Sequence, residues 1–150
     1  MKALTVKQPY ATRIVKGEKT VENRGRKTEL RGRFLIHAGG LLHDGIITRE
    51  HPLQMPWHKS VEKLPRSAIL GSVQIVDCHN ASMCGERCVA GGGIRADEAA
   101  ANDMRRVYHW IFEDPIEFRT PIPRVRGQLG FWQPEDRVVH LASIAEALVA

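Results

Sequence analysis

A β-rich run, "KALTV" (2–6), opens the chain and leads into "QPYATRIVKG" (8–17), where Tyr10, Ala11, Ile14 and Val15 share one helical face. Pro9 suits a first helical position and Gly17 a left-handed stop, which predicts one to two turns of helix. "KTVENR" (19–24) alternates as a strand does, "RFLIHA" (33–38) is the next strand, and "GRKTELRG" forms the turn between them. Residues 39–66 hold Gly39-Gly40, Pro52, Pro56 and Pro65 with little periodicity. They are expected to be a variable surface insertion with a helical turn near 41–50. "SAILGSVQIVDC" (67–78) is the strongest strand signal. An irregular segment at 78–94 ends near Gly91-Gly92-Gly93, and "ADEAAANDMRR" (96–106) has helix-forming composition. "VYHWIFED" (107–114) is a strand closed by Pro115, "GQLGFWQP" (127–134) a last short strand. "ASIAEALVA" (142–150) is a terminal helix presenting Ile144, Ala145, Leu148 and Val149 on one side. Five to six short strands with one early helix predict an α+β fold, a small barrel with peripheral helices, in a single domain spanning 1–150.

Length and composition bound this picture. One hundred and fifty residues, 43% hydrophobic and 26% charged, make one ordinary domain with a core of its own. No apolar run approaches the roughly 20 residues that cross a bilayer, and "MKALTVKQPY" lacks the apolar region of a signal peptide. Three cysteines, an odd number, fit a reducing compartment, so a cytoplasmic location is expected.

Charge changes the picture more. The stretch "KGEKTVENRGRKTELRGR" (16–33) sets seven basic residues against Glu18, Glu22 and Glu29, and so carries four of the chain's five net positive charges. On an extended strand Glu22 and Arg24 share one face while Val21 takes the other. Lys19, at the helix-to-strand junction, is placed to join them. A carboxylate among cations stays ionised, and a lysine crowded by arginines has its pKa pulled down. The ordinary alternative is an exposed strand whose ion pairs contribute little.

A second cluster, "CHNASMCGERC", supplies Cys78, His79, Cys84 and Cys88, a donor set that zinc accepts. Its spacing lacks a C-x2-C knuckle, and Cys78 and His79 point to opposite sides of a strand. The alternative is one buried thiol ending a core strand plus two loop thiols; any metal here would be structural. The three glycines are no phosphate loop, because the Gly-Lys-Ser/Thr ending is missing. "HPLQMPWHK" (51–59) is read as an insertion with Trp57 packed on the barrel, or as a lid.

"LTVKQPYATRIVKGEKTVENRGRKTELRGRFLIHAG" resembles the N-terminal signature of the ASCH domain, a member of the PUA-like superfamily of small β-barrels associated with RNA. The likeness runs through Gln8-Pro9-Tyr10, Gly17, Lys19, Glu22, Arg24, Arg31-Gly32 and Ile36-His37-Ala38, and continues in "ILGSVQIVDC", "YHWIFEDP" and "GQLGFW". It implies a PUA-like barrel whose cleft is lined by the early helix and the strand carrying Lys19, Glu22 and Arg24. The expected partner is RNA, single-stranded or looped, or a modified nucleoside. Arg26, Lys27, Arg31 and Arg33 would rim the cleft and meet phosphates, with Lys7 and Gln8 beside them, while Tyr10 and Trp110 would stack on bases.

The resemblance implies two classes of activity, a binder and a small hydrolase. Some relatives are amidohydrolases acting on N4-acetylcytidine and others are described as ribonucleases. The deacylating relatives use a Lys, a Thr three residues on and a separate Glu. Here Lys19 matches, but Glu22 stands where that Thr belongs, and Thr20 points the other way. A water-based variant would use Glu22 as base, Lys19 or Arg24 for the developing negative charge, and His37 as a candidate acid. A third class is a regulatory module whose basic hairpin meets an acidic protein surface. No cofactor other than structural zinc is implied.

Overall fold

The computed structural model describes residues 1–42, 63–101 and 106–150. The expected insertion, with its helical turn, Trp57 and its lid reading, lies largely outside the described residues. Six strands, β1 (Ala3–Gln8), β2 (Val21–Arg24), β3 (Gly32–Leu42), β4 (Ala68–Asn80), β5 (Tyr108–Ile122) and β6 (Phe131–Trp132), form one sheet in the order β2-β5-β4-β3-β1-β6. β1 and β3 run parallel and every other pair is antiparallel. Among the described residues three α-helices, α1 (Tyr10–Val15), α2 (Ala96–Ala101) and α3 (Asp136–Ala147), join the sheet in an α+β architecture.

The sheet curls into a half-barrel, and side chains at its two ends show it. Phe131 on β6 stacks on Trp110 of β5, ring centroids 5.2 Å apart, although three strands separate them in the sheet. Arg24 on edge strand β2 donates from Nη2 to the Thr5 carbonyl of β1 at 3.1 Å. Inside the curl Leu4, Val6, Phe34, Ile36, Leu70, Val73, Ile75 and Phe112 pack with Ile14 and Val15 of α1. Phe34 meets Phe112 and Phe131 edge-on at 5.4 and 5.0 Å. On the outer face Ala3, Leu35, Ile69, Phe118 and Trp132 are covered by Val138 and Ala142 of α3. β3 is therefore buried on both faces, which accounts for its nearly unbroken apolar run.

Several boundaries differ from those the sequence predicts. β5 does not stop at Pro115. Gln74 pairs with Glu113 and Ser72 with Ile116, so Asp114 and Pro115 bulge out of the ladder, where proline's missing N–H costs nothing. The terminal helix starts six residues earlier than expected and buries Val138, Ala142 and part of Ala145, whereas Ile144, Leu148 and Val149 are exposed. Its true apolar stripe begins in "DRVVHLA", a segment too polar to announce a helix. None of the helices among the described residues is long and apolar enough to cross a membrane.

Candidate functional site

α1, the Glu18–Asn23 segment, the 89–94 loop and the 128–130 turn enclose a cleft of about 770 Å³, also lined by Thr5, Lys7 and Arg24. The sequence builds its floor locally. α1 ends at Lys16, Gly17 takes a φ of +75°, and the chain turns back so that Lys19 enters the cleft before β2 begins. Glu22 and Arg24, one pleat apart on β2, then face the same space.

Lys19 is 6% exposed and Glu22 9%. The Lys19 ammonium donates to the Val21 carbonyl, lies 3.8 Å from Glu22 Oε2 and sits 5.3 Å from the centre of the Tyr10 ring. Arg24 Nε is 3.2 Å from Glu22 Oε1, close enough to pair charge without making a hydrogen bond. Its guanidinium also lies 5.7 Å from the centre of the Trp110 ring. Burial pushes the Lys19 pKa below its ordinary value, Glu22 opposes that shift, and Arg13 and Arg24 reinforce it.

A buried Lys–Glu–Arg cluster is a poor stabilising device, since desolvation offsets most of the Coulomb attraction. Such clusters in clefts mark sites more often than they mark scaffolding. The exposed-strand alternative therefore fails: Glu22 is buried, and Arg24 is held between a carbonyl, a carboxylate and an indole.

Of the expected site residues, the fold brings Lys7, Tyr10, Lys19, Glu22 and Arg24 to the cleft. β2 pairs with β5 and β3 with β4, so 25–31 is a connection across the sheet and not a hairpin, and its cations are elsewhere. Arg33 donates to Ser72 Oγ and the Asp114 carbonyl and pairs with the Asp114 carboxylate. Ser72 in turn donates to Glu146 of α3, so Arg33 belongs to a network that fixes α3 to the sheet. Arg31 folds back on the carbonyls of Thr28 and Leu30, and Lys27 pairs with Glu29 at 2.8 Å. Arg26 contributes its carbonyl to the Trp110 indole N–H at 2.9 Å, and none of these four residues lines the cleft.

Gln8 is fully buried, bonding the Pro65 carbonyl at 2.7 Å and the Thr12 N–H at 3.1 Å, and so braces α1 instead of meeting a ligand. Trp110 is a core aromatic stacked on Phe131. His37 is 1% exposed between Thr5 Oγ1 at 3.2 Å and the Val125 carbonyl at 2.8 Å, outside the cleft, which removes it as an acid there.

Reading the sequence missed the opposite walls: Arg13, Glu18 and Asn23, the 89–94 loop, and Gln128, Leu129 and Gly130. A Cβ added to Gly91 would lie 2.3 Å from Thr20 Oγ1, so only glycine lets this loop close on the Lys19–Val21 turn. Asn23 clamps the same loop, donating to the Gly92 carbonyl at 2.9 Å and accepting from the Ile94 N–H at 2.8 Å. The Thr20 hydroxyl faces Gly91 and is not part of the cleft lining.

A curled α+β half-barrel whose first helix and second strand frame a charged cleft defines a PUA-like fold of the ASCH type. The ASCH domain family model matches residues 4–122, and the chain belongs to that family. Among solved structures it is similar to the ASCH protein of Zymomonas mobilis, with a TM-score of 0.60, 15% identity, and coverage of 95% of this chain and 94% of that one. A tyrosine-to-phenylalanine mutant of that Zymomonas mobilis protein gives a TM-score of 0.61 at 13% identity, covering 95% of this chain and 96% of that one. These likenesses establish the fold. No curated protein matches the chain. Family membership supports a general RNA-binding or related function.

Proposed function

We propose that the cleft binds RNA, single-stranded or looped, or a modified nucleoside, as a basic site in a cytoplasmic protein. The observation that carries this reading is the buried Lys19 ammonium, held by Glu22 and flanked by Tyr10 at the floor of an open cleft. Lys7, Arg13, Lys19 and Arg24 line it against Glu18 and Glu22, leaving an excess of positive charge. Its volume suits one base with its sugar. Tyr10 offers a face for stacking, Arg13 and Lys7 meet phosphates, and the Glu22 carboxylate accepts from an exocyclic amine. Three free thiols fit a reducing compartment.

The test is equilibrium binding of a mixed-sequence single-stranded RNA at several salt concentrations. Affinity should fall with a log–log slope of about −0.7 per neutralised phosphate. An affinity that stays flat from low to physiological salt rejects the reading.

The lowered Lys19 pKa beside Glu22 favours a second reading, a hydrolase acting on a modified nucleoside in the same cleft. Glu22 would take a proton from water as that water attacks the acyl carbon, and Lys19 or Arg24 would stabilise the oxyanion. Its collapse would break the acyl C–N bond, with the proton on Glu22 passing to the leaving amine and the carboxylic acid released. Incubation with a nucleoside pool that includes N4-acetylcytidine, beside a Lys19→Ala control, decides it by mass spectrometry. A mass change made only by the wild type establishes the hydrolase; an unchanged pool leaves the binding reading alone for those substrates.

A further inference from the structure

We propose that His79, Cys84, Cys88 and His109 form a structural zinc site that fixes the wall of the cleft. Their donor atoms all lie within 4.8 Å of one another. Cys84 Sγ is 3.2 Å from His109 Nδ1, and Cys88 Sγ is 3.4 Å from His79 Nε2. A tetrahedral zinc, with Zn–S of about 2.3 Å and Zn–N of about 2.0 Å, sets donor-to-donor edges of roughly 3.3–3.8 Å. The two nitrogen–sulfur edges are already near that size without a metal.

The fold explains why these four residues meet. His79 on β4 and His109 on β5 are directly opposite in the antiparallel ladder, so both side chains leave the sheet on one face. Their rings approach at 5.4 Å and 81°, which turns a nitrogen of each toward the thiols. The 81–94 segment folds over that face and delivers Cys84 and Cys88. Cys78, one residue before His79, points the other way: its sulfur accepts from the Thr28 N–H at 3.5 Å and it packs in the barrel core. The true set therefore exchanges Cys78 for His109, a histidine far away in sequence.

The outer contacts are those a zinc site requires. His109 Nε2 lies 2.8 Å from the Ile94 carbonyl and His79 Nδ1 lies 2.8 Å from Asp77 Oδ2. Each histidine can thus donate one N–H outward and present its other nitrogen as a lone pair, the arrangement that orients metal ligands. Both thiols and His109 are buried, and His79 is only partly exposed, so no ligand position opens freely to substrate.

Zinc coordination forms two Zn–S and two Zn–N bonds and releases two thiol protons to solvent. A dication with two thiolates and two neutral imidazoles has no net charge, which suits a buried place. The site also explains the loop. Val89–Gly91 follows Cys88 in one 3-10 turn, and Gly91 accepts from the Thr20 N–H at 3.1 Å. A metal at Cys84 and Cys88 would fix the loop that closes on Lys19.

The experiment is elemental analysis of protein expressed with added zinc and purified without chelator. It is joined to a cobalt(II) titration of the chelator-stripped, reduced protein. About one zinc per chain is expected. Cys84→Ala and His109→Ala should lose it, and Cys78→Ala should retain it. Cobalt bound to the wild type should give a thiolate charge-transfer band with the intense visible bands of a tetrahedral site, a readout that does not depend on any ligand variant folding. Less than a tenth of an equivalent of zinc, together with no thiolate–cobalt band in folded wild type, overturns the proposal. So does loss of zinc from a folded Cys78→Ala variant equal to that from Cys84→Ala.

Discussion

The cleft and the β2–β3 connection draw their cations from one stretch of chain, yet the fold turns one group into the cleft and commits the other to contacts elsewhere. Lys19 is desolvated and Arg24 half-buried, the two flanked by Tyr10 and Trp110 and sharing one carboxylate. Arg31 and Lys27 stay at the surface, bonded to neighbours a few residues away. Arg33 ties β3 to β5 and, through Ser72, to α3. Charge density along the sequence locates a basic segment, but the fold decides which of its cations face the cleft and can meet a ligand there.

The comparison breaks most sharply at Lys19. Lys19→Ala removes a desolvated cation and should weaken RNA binding by ten-fold or more, consistent with about 2–5 kcal/mol for truncating a buried charged contact. Arg31→Ala should change affinity less than two-fold in the same titration. Equal losses from the two variants would erase the distinction between the regions.

The salt dependence sharpens it next. Arg13→Ala should reduce the log–log salt slope by about 0.7, since Arg13 meets a phosphate, while Arg31→Ala leaves the slope unchanged. Protonation gives a third handle. Lys19 carries its positive charge only as the ammonium, and its folded pKa lies below 10.5, so affinity should decline as pH rises through that lowered value. Lys19→Arg, which stays charged, should flatten that decline.

Two stability effects complete the contrast. Arg33→Ala should cost about 1 kcal/mol in denaturant unfolding, because it removes bonds to Ser72 and Asp114, and should leave RNA affinity intact. His37 is held neutral by burial, opposed by its bond to Val125, with Thr5 and Trp132 as its other neighbours. Its folded pKa is below 6.5, so below that pH the unfolded chain binds the proton the native state refuses. Stability should be full above pH 6.5 and fall as pH drops below it, and His37→Gln should weaken that dependence.

The residues explain how much of this was legible in advance. The strands at 3–8, 68–80 and 108–113 were readable because their apolar side chains serve a buried sheet, and Lys19, Glu22 and Arg24 were readable from the family signature. The continuation of β5 past Pro115 was not, since a bulge is a property of the partner strand's register as much as of the proline. Arg13, Asn23 and Gln128 reach the cleft from separate segments and carry no shared pattern. His109 joins Cys84 and Cys88 only through the pairing of β4 with β5, a non-local fact that spacing rules for zinc do not contain. The cations at 26–33 misled because they lie within the signature in sequence while staying out of the cleft in space.

The most direct test of the central claim is ultraviolet crosslinking of single-stranded RNA to the protein, followed by mapping of the modified peptides by mass spectrometry. Adducts are expected on the segment containing Tyr10 and on the 89–94 loop, and they should disappear in Lys19→Ala. Adducts concentrated at 26–33, with Tyr10 and the loop unmodified, would contradict the account and return the RNA surface to the β2–β3 connection.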